Sequence, residues 1–151
     1  LACEGKVLSQ VKNAALGIIK KSRFLFVPNT LEYLEKGGRI GRANAIIGNL
    51  LKVVPILTVE DGVTTVFKKI RTKKKAVEAI LEQVLLDIKQ LGLGGIAVHH
   101  INCFQEAKDM AEQLKQKIKL DVMIQDIGPV IGLHVGPGAL GIAYFTQKDM
   151  R

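Results

Sequence analysis

The strongest constraint on the fold is the order in which strand-like and helix-like segments alternate along the chain. Residues 72–91 carry apolar side chains at helical spacing, which predicts a long amphipathic helix. Residues 54–59 and 63–70 are typical of strands, and the Glu60-Asp61-Gly62 segment between them is typical of a hairpin turn. Hairpins join antiparallel strands and helical crossovers join parallel ones. The chain is therefore predicted to be an α/β protein, a two-layer domain with a mixed β-sheet covered by helices.

The other elements follow from the same periodicities. Helices are predicted at 6–21, 31–36, 43–51, 72–91 and 105–118, and strands at 23–27, 54–59, 63–70, 96–101, 120–127 and 139–145. Residues 92–95 are expected to form a loop, and residues 128–133 a short helical segment. Imperfect alternation in 63–70 indicates a twisted or edge strand. The first helix carries an apolar face and belongs either to the core or to a connection with another domain.

Composition limits the class of protein. A chain of 151 residues that is 48% hydrophobic can form one domain with a core, and the absence of Trp makes that core aliphatic. Cys3 and Cys103 lie outside any metal-ligand spacing, which predicts a reduced, cytoplasmic protein without a structural metal. No apolar run is long enough to span a bilayer. Because the chain starts at Leu1, we expect it to begin inside a longer protein.

The formal net charge of +8 favours an acidic partner, which could be nucleic acid, a lipid head group or an acidic protein. A basic surface without a partner would explain the charge equally well. The densest basic run spans residues 71–75 and includes Arg71, Lys73 and Lys74. No aromatic side chains lie near this run to stack on bases, which argues against a single-strand nucleic-acid binder.

Two glycine-rich segments, residues 37–41 and 134–138, each place one polar side chain among glycines. Glycine permits a positive φ and close approach of a ligand. The Arg39 guanidinium is suited to clamp a carboxylate or phosphate, and the His134 imidazole can donate to an anion or carry a proton. The alternatives are that Arg39 caps the preceding helix and that His134 is bonded to backbone in a turn.

Catalysis by this chain alone is not supported by its motifs. Ser9 and Ser22 are the only serines, and neither lies in a nucleophile elbow. His99 and His100 are adjacent in a predicted strand and therefore point to opposite faces of the sheet. A third ligand with suitable spacing is missing, so these two histidines are not expected to bind a metal.

Residues 31–41, with the sequence LEYLEKGGRIG, resemble a signature of the DegV family. Leu50-Leu51 and the segments 55–57, 61–62, 71–76 and 134–141 resemble that family as well, in the same order. The resemblance implies two-domain bacterial proteins that bind a long-chain fatty acid in a buried tunnel and use no cofactor. Related members present the carboxylate to a fatty acid kinase for phospholipid synthesis.

In that family the C-terminal domain brings the Arg of GGRIG and the His of HxGPG to the head group, and the N-terminal domain supplies hydroxyl side chains. By resemblance, this chain corresponds to the C-terminal domain over residues 1–151, with 1–21 as an interdomain helix and the N-terminal domain absent. Arg39 and His134 would face the fatty acid carboxylate. The other residues assigned on this basis are Gly37, Gly38, Gly41, Gly136 and Gly138 as loop-shaping, Ile46, Ile47 and Leu50 as acyl-chain lining, and Arg71, Lys73 and Lys74 as docking residues for the kinase.

The sequence thus predicts a fatty-acid-binding protein that is not an enzyme. Two alternatives remain open at this point. One is an enzyme that transfers or hydrolyses an acyl group with His134 as general base. The other is a basic nucleic-acid-binding module, whose affinity would fall steeply with salt.

Overall fold

The computed structural model describes the backbone of residues 2–150, together with their side chains except at residues 2 and 47–52. The helices are α1 (Leu8–Ile19), α2 (Glu32–Lys36), α3 (Lys73–Leu91), α4 (Phe104–Ile118) and α5 (Pro129–Val135). The strands are β1 (Ser22–Val27), β2 (Val54–Glu60), β3 (Val63–Ile70), β4 (Leu93–His100), β5 (Met123–Asp126) and β6 (Leu140–Thr146). Short 3₁₀ segments occupy Ala2–Glu4 and Gly41–Lys52.

The strands of residues 2–150 form a six-stranded sheet in the order β3-β2-β1-β6-β4-β5. Neighbouring strands are antiparallel except for β4 and β5, which are parallel. The mixed α/β sheet predicted from the sequence is therefore confirmed. Strand β3 lies at the edge, as its irregular alternation indicated, and the register with β2 shifts between Ile56 and Leu57.

One face of the sheet is covered by α3 and α4, and we call it the closed face. Its core contains Leu25 and Ile142 from the sheet together with Ile80 and Leu114 from the two helices. The apolar stripe of α3 faces the sheet as its helical spacing requires. The Thr72 hydroxyl caps this helix by accepting a hydrogen bond from the Lys75 backbone N–H, at 3.3 Å.

A buried polar cluster also lies on the closed face, centred on the Asp87 carboxylate of α3. This carboxylate accepts hydrogen bonds from Arg23 Nη1 at 2.6 Å, from Tyr144 Oη at 2.5 Å and from Gln83 Nε2 at 2.8 Å. Burial of the ring, reinforced by the hydrogen bond to Asp87, raises the pKa of Tyr144. The phenol therefore remains a donor, and the cluster ties α3 to β1 and β6.

The opposite face, which we call the open face, is covered mainly at one end. A second buried cluster there includes Phe26, Leu34, Ala43 and Val135 and joins the sheet to α2, α5 and the 3₁₀ segment. Helix α1 contributes no buried residue: Leu8 is 83% exposed and Ile19 66% exposed. Its apolar side, which the sequence offered as a core face, is therefore uncovered within the described residues.

Apart from shifts of one or two residues at element ends, the structure differs from the sequence prediction at three places. Residues 92–95 were expected to form a loop, but β4 begins at Leu93 because the Phe145 ring packs directly over Gly94 and Gly95. A Cβ at either glycine would lie within 2.5 Å of that ring. Strand β5 covers only Met123–Asp126, and the segment predicted as a helix over 43–51 is a 3₁₀ helix.

Candidate functional site

The Gly37-Gly38-Arg39 segment ends helix α2 in a Schellman motif. The Arg39 backbone N–H donates to the Leu34 carbonyl at 2.8 Å, and the Gly38 N–H donates to the Glu35 carbonyl at 3.0 Å. Gly38 adopts a φ of 66°, which a residue with a Cβ rarely adopts. Arg39 thus leaves the helix at a defined position, and its side chain is exposed.

Gly37 is required for a different reason, because its φ of −78° is ordinary. A Cβ at this position would lie 2.2 Å from His134 Nδ1. The imidazole of α5 therefore packs directly against the last turn of α2, where a side chain would displace it. Because consecutive Cα atoms are 3.8 Å apart, the Arg39 Cα lies within about 8 Å of the Gly37 Cα. The two predicted head-group residues are brought to the same end of the molecule.

The contact between α2 and α5 is reciprocal. The Tyr33 ring of α2 packs on Gly136, where a Cβ would lie 2.3 Å from Tyr33 Cδ2. Gly136 also has a φ of 80°, and its N–H donates to the Gly132 carbonyl at 2.8 Å as α5 ends. The glycine that ends each helix is thus covered by an aromatic ring from the other helix. These two contacts fix the position of His134 relative to the end of α2, which Arg39 follows.

The His134 side chain is half-buried, and its Nδ1 is fully buried without a hydrogen-bond partner among the described residues. A buried nitrogen without a partner is uncommon in proteins because it loses its bonds to water. Nδ1 is thus not bonded to turn backbone among the described residues, whereas the wider alternative, that His134 is bonded to backbone in a turn, stays a prediction.

The other predicted loop glycines also have identifiable roles. Gly41 has a φ of 54°, and a Cβ there would lie 2.6 Å from the Thr64 carbonyl oxygen, so it allows the 3₁₀ segment to approach β3. Gly138 has a φ of 80° and lies against Asn29. Both the predicted positions and their conformations thus serve close backbone approach in the same region.

The open face carries two apolar hollows, the smaller of which reaches α5. One, of about 390 Å³, is lined by Phe24, His99, Ile131 and Ala143 among others. The second is an open groove of about 600 Å³ between α1 and the sheet. Phe24 and Ala143 line both, so the hollows are neighbours on one surface.

His99 was not predicted as a site residue, yet its imidazole lines the smaller hollow. Its pKa is lowered, first by burial and second by the neighbouring His100. Its partner in sequence, His100, is buried on the closed face, 3.2 Å from the Asp126 carboxylate. The sequence signal for His99 was the strand alternation that puts it on the same face as Ala97.

The predicted acyl-lining residues lie partly outside the description. Ile46 is a buried member of the second cluster, packed with side chains such as Phe26 and Leu57. The side chains of Ile47 and Leu50 lie outside the described residues. The structure therefore places Ile46 beneath the site, within the apolar packing that supports it.

The basic run at the start of α3 is divided. Arg71, Lys74 and Lys75 are exposed, whereas Lys73 is half-buried and paired. Lys73 Nζ lies 2.7 Å from Glu106 Oε2 and donates to the Gly138 carbonyl at 3.2 Å. Within residues 2–150, the described side chains form no cluster of three or more His, Cys, Asp or Glu that could hold a metal ion. In the same range, no helix is both long and apolar enough to cross a membrane.

Comparison with known proteins gives a consistent result. A model of the DegV family, described as uncharacterised, matches residues 1–147. A DegV domain-containing protein of Clostridium acetobutylicum is 66% identical over 150 residues, which are 99% of this chain and 53% of that protein. The chain spans about half the length of the curated relatives it matches.

Solved structures resemble the fold closely. A fatty acid binding DegV family protein from Streptococcus agalactiae has a TM-score of 0.82 and 32% identity, over 97% of this chain and 52% of that one. DegV from Bacillus subtilis, described as a fatty acid binding protein, has a TM-score of 0.81 and 37% identity, over 94% of this chain and 51% of that one. By family model, by relatives and by fold, this chain belongs to the DegV family.

Proposed function

We propose that this chain is the carboxylate-facing domain of a protein that binds a long-chain fatty acid. The observation that carries the proposal is the packing of His134 against Gly37. This contact holds an imidazole beside the end of α2, two residues before Arg39. A guanidinium is suited to a carboxylate by charge and by planar geometry, and an imidazole can add a directed hydrogen bond. The similar proteins from Streptococcus agalactiae and Bacillus subtilis, described as fatty acid binding, support this assignment.

The open face is suited to the acyl chain. The hollows beside α1 and α5 are walled mainly by apolar side chains, with Phe24 and Ala143 common to both. Burying an acyl chain is worth about 0.8 kcal/mol per CH₂, so a long chain gains roughly 10 kcal/mol before losses. The head-group residues are then needed to orient the ligand more than to add affinity. Ile46, Ile47 and Leu50 remain assigned to the acyl-chain wall, with Ile46 supporting it from beneath.

A second domain would complete the site in this proposal. The relatives are about twice as long as the matching segment, and the family resemblance assigns hydroxyl side chains for the carboxylate to their other half. Residues 1–21 would connect the two domains. A tunnel between domains would cover the apolar surface that the open face now exposes.

In this proposal the bound carboxylate is presented to a fatty acid kinase in the cytoplasm. The chain would be a binding subunit without catalytic groups of its own and without a cofactor. The exposed cations Arg71 and Lys74 would attract an acidic surface of the kinase. Lys73, which is already paired with Glu106, would contribute to this surface only in part.

The test is lipid extraction and mass spectrometry on the full-length protein, followed by titration with oleate and palmitate. We expect a co-purified fatty acid and binding that weakens at least tenfold in Arg39→Ala and His134→Ala. Arg42→Ala is the matched control, since it removes an exposed arginine three residues away. Absence of any bound lipid, together with no binding of either added acid, would refute the proposal.

Two further measurements separate the alternatives. Hydrolysis of an acyl phosphate that is lost in His134→Ala would favour an acyl-transferring enzyme over a binding protein. Affinity for a short duplex that falls steeply with salt would favour a nucleic-acid-binding module. We expect neither result.

A further inference from the structure

Lys73 differs from the other cations of its run because its side chain turns inward. Its ammonium bridges the Glu106 carboxylate at the start of α4 and the Gly138 carbonyl in the loop between α5 and β6. The side chain is 31% exposed, and that of Glu106 is 49% exposed. A lysine in the first turn of a helix is unfavourable for the helix dipole. The bonds to Glu106 and Gly138 offset this unfavourable interaction with the helix dipole.

The loop that receives Lys73 begins directly after the helix that carries His134. The connection between β4 and α4 holds the loop from one side: Gly138 N–H donates to the Ile101 carbonyl at 2.8 Å, and Ile101 N–H donates to the Ala139 carbonyl at 3.0 Å. The Cys103 thiol also donates to the Ala139 carbonyl, at 3.2 Å, and burial raises the pKa of this thiol so that it keeps its proton.

Lys73 contributes a hydrogen bond from α3 to this loop, whose glycines do not restrict its conformation by themselves. Gly136 and Gly138 both have a φ of 80°, and neither has a side chain to restrict rotation. The Gly138 carbonyl is therefore held by hydrogen bonds, with Lys73 bonded to the carbonyl itself and Ile101 and Cys103 bonded to the groups on either side. Loss of the Lys73 bond would leave this peptide less restrained where the chain leaves α5, the helix that holds His134 on Gly37.

We propose that Lys73 is a positioning residue for His134, acting through the Gly138 carbonyl, and that Glu106 aligns its ammonium. The effect on ligand affinity rests on the proposed function, whereas the effect on the imidazole does not. Docking of an acidic partner then falls to Arg71, Lys74 and Lys75, which have exposed side chains.

The experiment compares Lys73→Met with Lys74→Met in the full-length protein, because both remove one positive charge from the same helical turn. The first readout is the imidazole ¹H–¹³C NMR signal of His134, with the signal of His99, which lines the smaller hollow of the same open face, as an internal reference. The second readout is the dissociation constant for oleate. Lys73→Arg tests rescue by a side chain that keeps the charge and the donors.

We expect Lys73→Met to shift the His134 signal while that of His99 stays in place, and to weaken oleate binding on the order of tenfold, the value of one charge-assisted hydrogen bond. Lys74→Met should do neither, and Lys73→Arg should restore the His134 signal. If Lys73→Met fails to fold, Glu106→Gln replaces it, because that change releases the ammonium without removing it.

A His134 signal in the folded variant that superposes on that of the unmodified protein would overturn the proposal. The two proposals fail separately. A shifted His134 signal in a protein that binds no fatty acid would refute the proposed function and support the positioning role. A His134 signal that is unchanged in Lys73→Met, in a protein that binds oleate, would refute the positioning role and support the proposed function.

Discussion

The closed and open faces of the sheet are built from the same alternating strands but differ in what covers them. On the closed face, α3 and α4 bury an aliphatic core and a polar cluster around Asp87. On the open face, a smaller cluster lies at one end and apolar hollows flank it. Because a sheet needs one well-packed face to be stable, the second face is free to carry a ligand. This division predicts that substitutions on the two faces have separable effects on stability and on binding.

The largest expected difference is between isoleucines on the two faces. Ile80 of α3 is 0% exposed on the closed face, whereas Ile131 of α5 is 56% exposed beside the smaller hollow. Ile80→Ala should lower the free energy of unfolding by about 4 kcal/mol, since it leaves a cavity. Ile131→Ala should change it by less than about 0.5 kcal/mol. Urea unfolding of both variants measures the difference, and equal losses would contradict the division into two faces.

The polar cluster of the closed face should be nearly as sensitive. Asp87→Asn removes the negative charge that Arg23 faces, and we expect a loss of about 3 kcal/mol in the free energy of unfolding. Glu82→Gln is the control, because it neutralises an exposed carboxylate on the same helix. Chemical denaturation monitored by circular dichroism gives both values. A loss in Glu82→Gln as large as that in Asp87→Asn would mean that overall charge, and not the cluster, is responsible.

Substitutions at the adjacent glycines Gly37 and Gly38 distinguish the free-energy cost of a strained backbone from displacement of the His134 ring. Gly38→Ala meets no neighbouring atom but forces an alanine into a positive φ, which should cost about 1 kcal/mol of stability. Gly37→Ala has no such strain, yet its methyl group would displace the His134 ring. Fatty acid binding should therefore weaken in Gly37→Ala more than in Gly38→Ala, as measured by calorimetric titration. The opposite order would show that the ring contact is not part of the site.

The smallest effect concerns His99 on the open face. Burial lowers the pKa of this imidazole, so the folded state binds fewer protons there than the unfolded chain does. Its contribution to stability is present above the ordinary pKa of about 6.5 and is lost as the pH falls through the folded value. An NMR titration, assigned with His99→Gln, should give a midpoint below the ordinary value. A midpoint at or above it would show that water reaches the hollow freely.

Local signals were sufficient for most of the sheet. The Glu60-Asp61-Gly62 turn joins β2 and β3, Thr72 caps α3, and Gly38 ends α2, because each depends on residues adjacent in sequence. Long-range contacts were not visible in the same way. Gly94 and Gly95 were predicted to form a loop, and this prediction was wrong. Their strand conformation is stabilised by Phe145, which is distant in sequence.

The candidate site shows the same limit. The sequence singled out Gly37 and His134 as separate motifs, and only the fold shows that one lies against the other. Lys73 was predicted as a docking cation. Its pairing with Glu106 and Gly138 could not be predicted, because both partners are distant in sequence. The positions that carry special chemistry could be predicted, whereas their pairing required the three-dimensional structure.

Strand β6 is the last strand of the described residues but lies in the middle of the sheet, between β1 and β4. Until residues 140–146 emerge from the ribosome, the β3-β2-β1 hairpin assembly and the β4-β5 pair have no shared neighbour and cannot be joined. Until then the nascent chain carries two incomplete sheet fragments, each with the unpaired edge that β6 later covers. Protection of these edges by a chaperone would be most valuable during that interval.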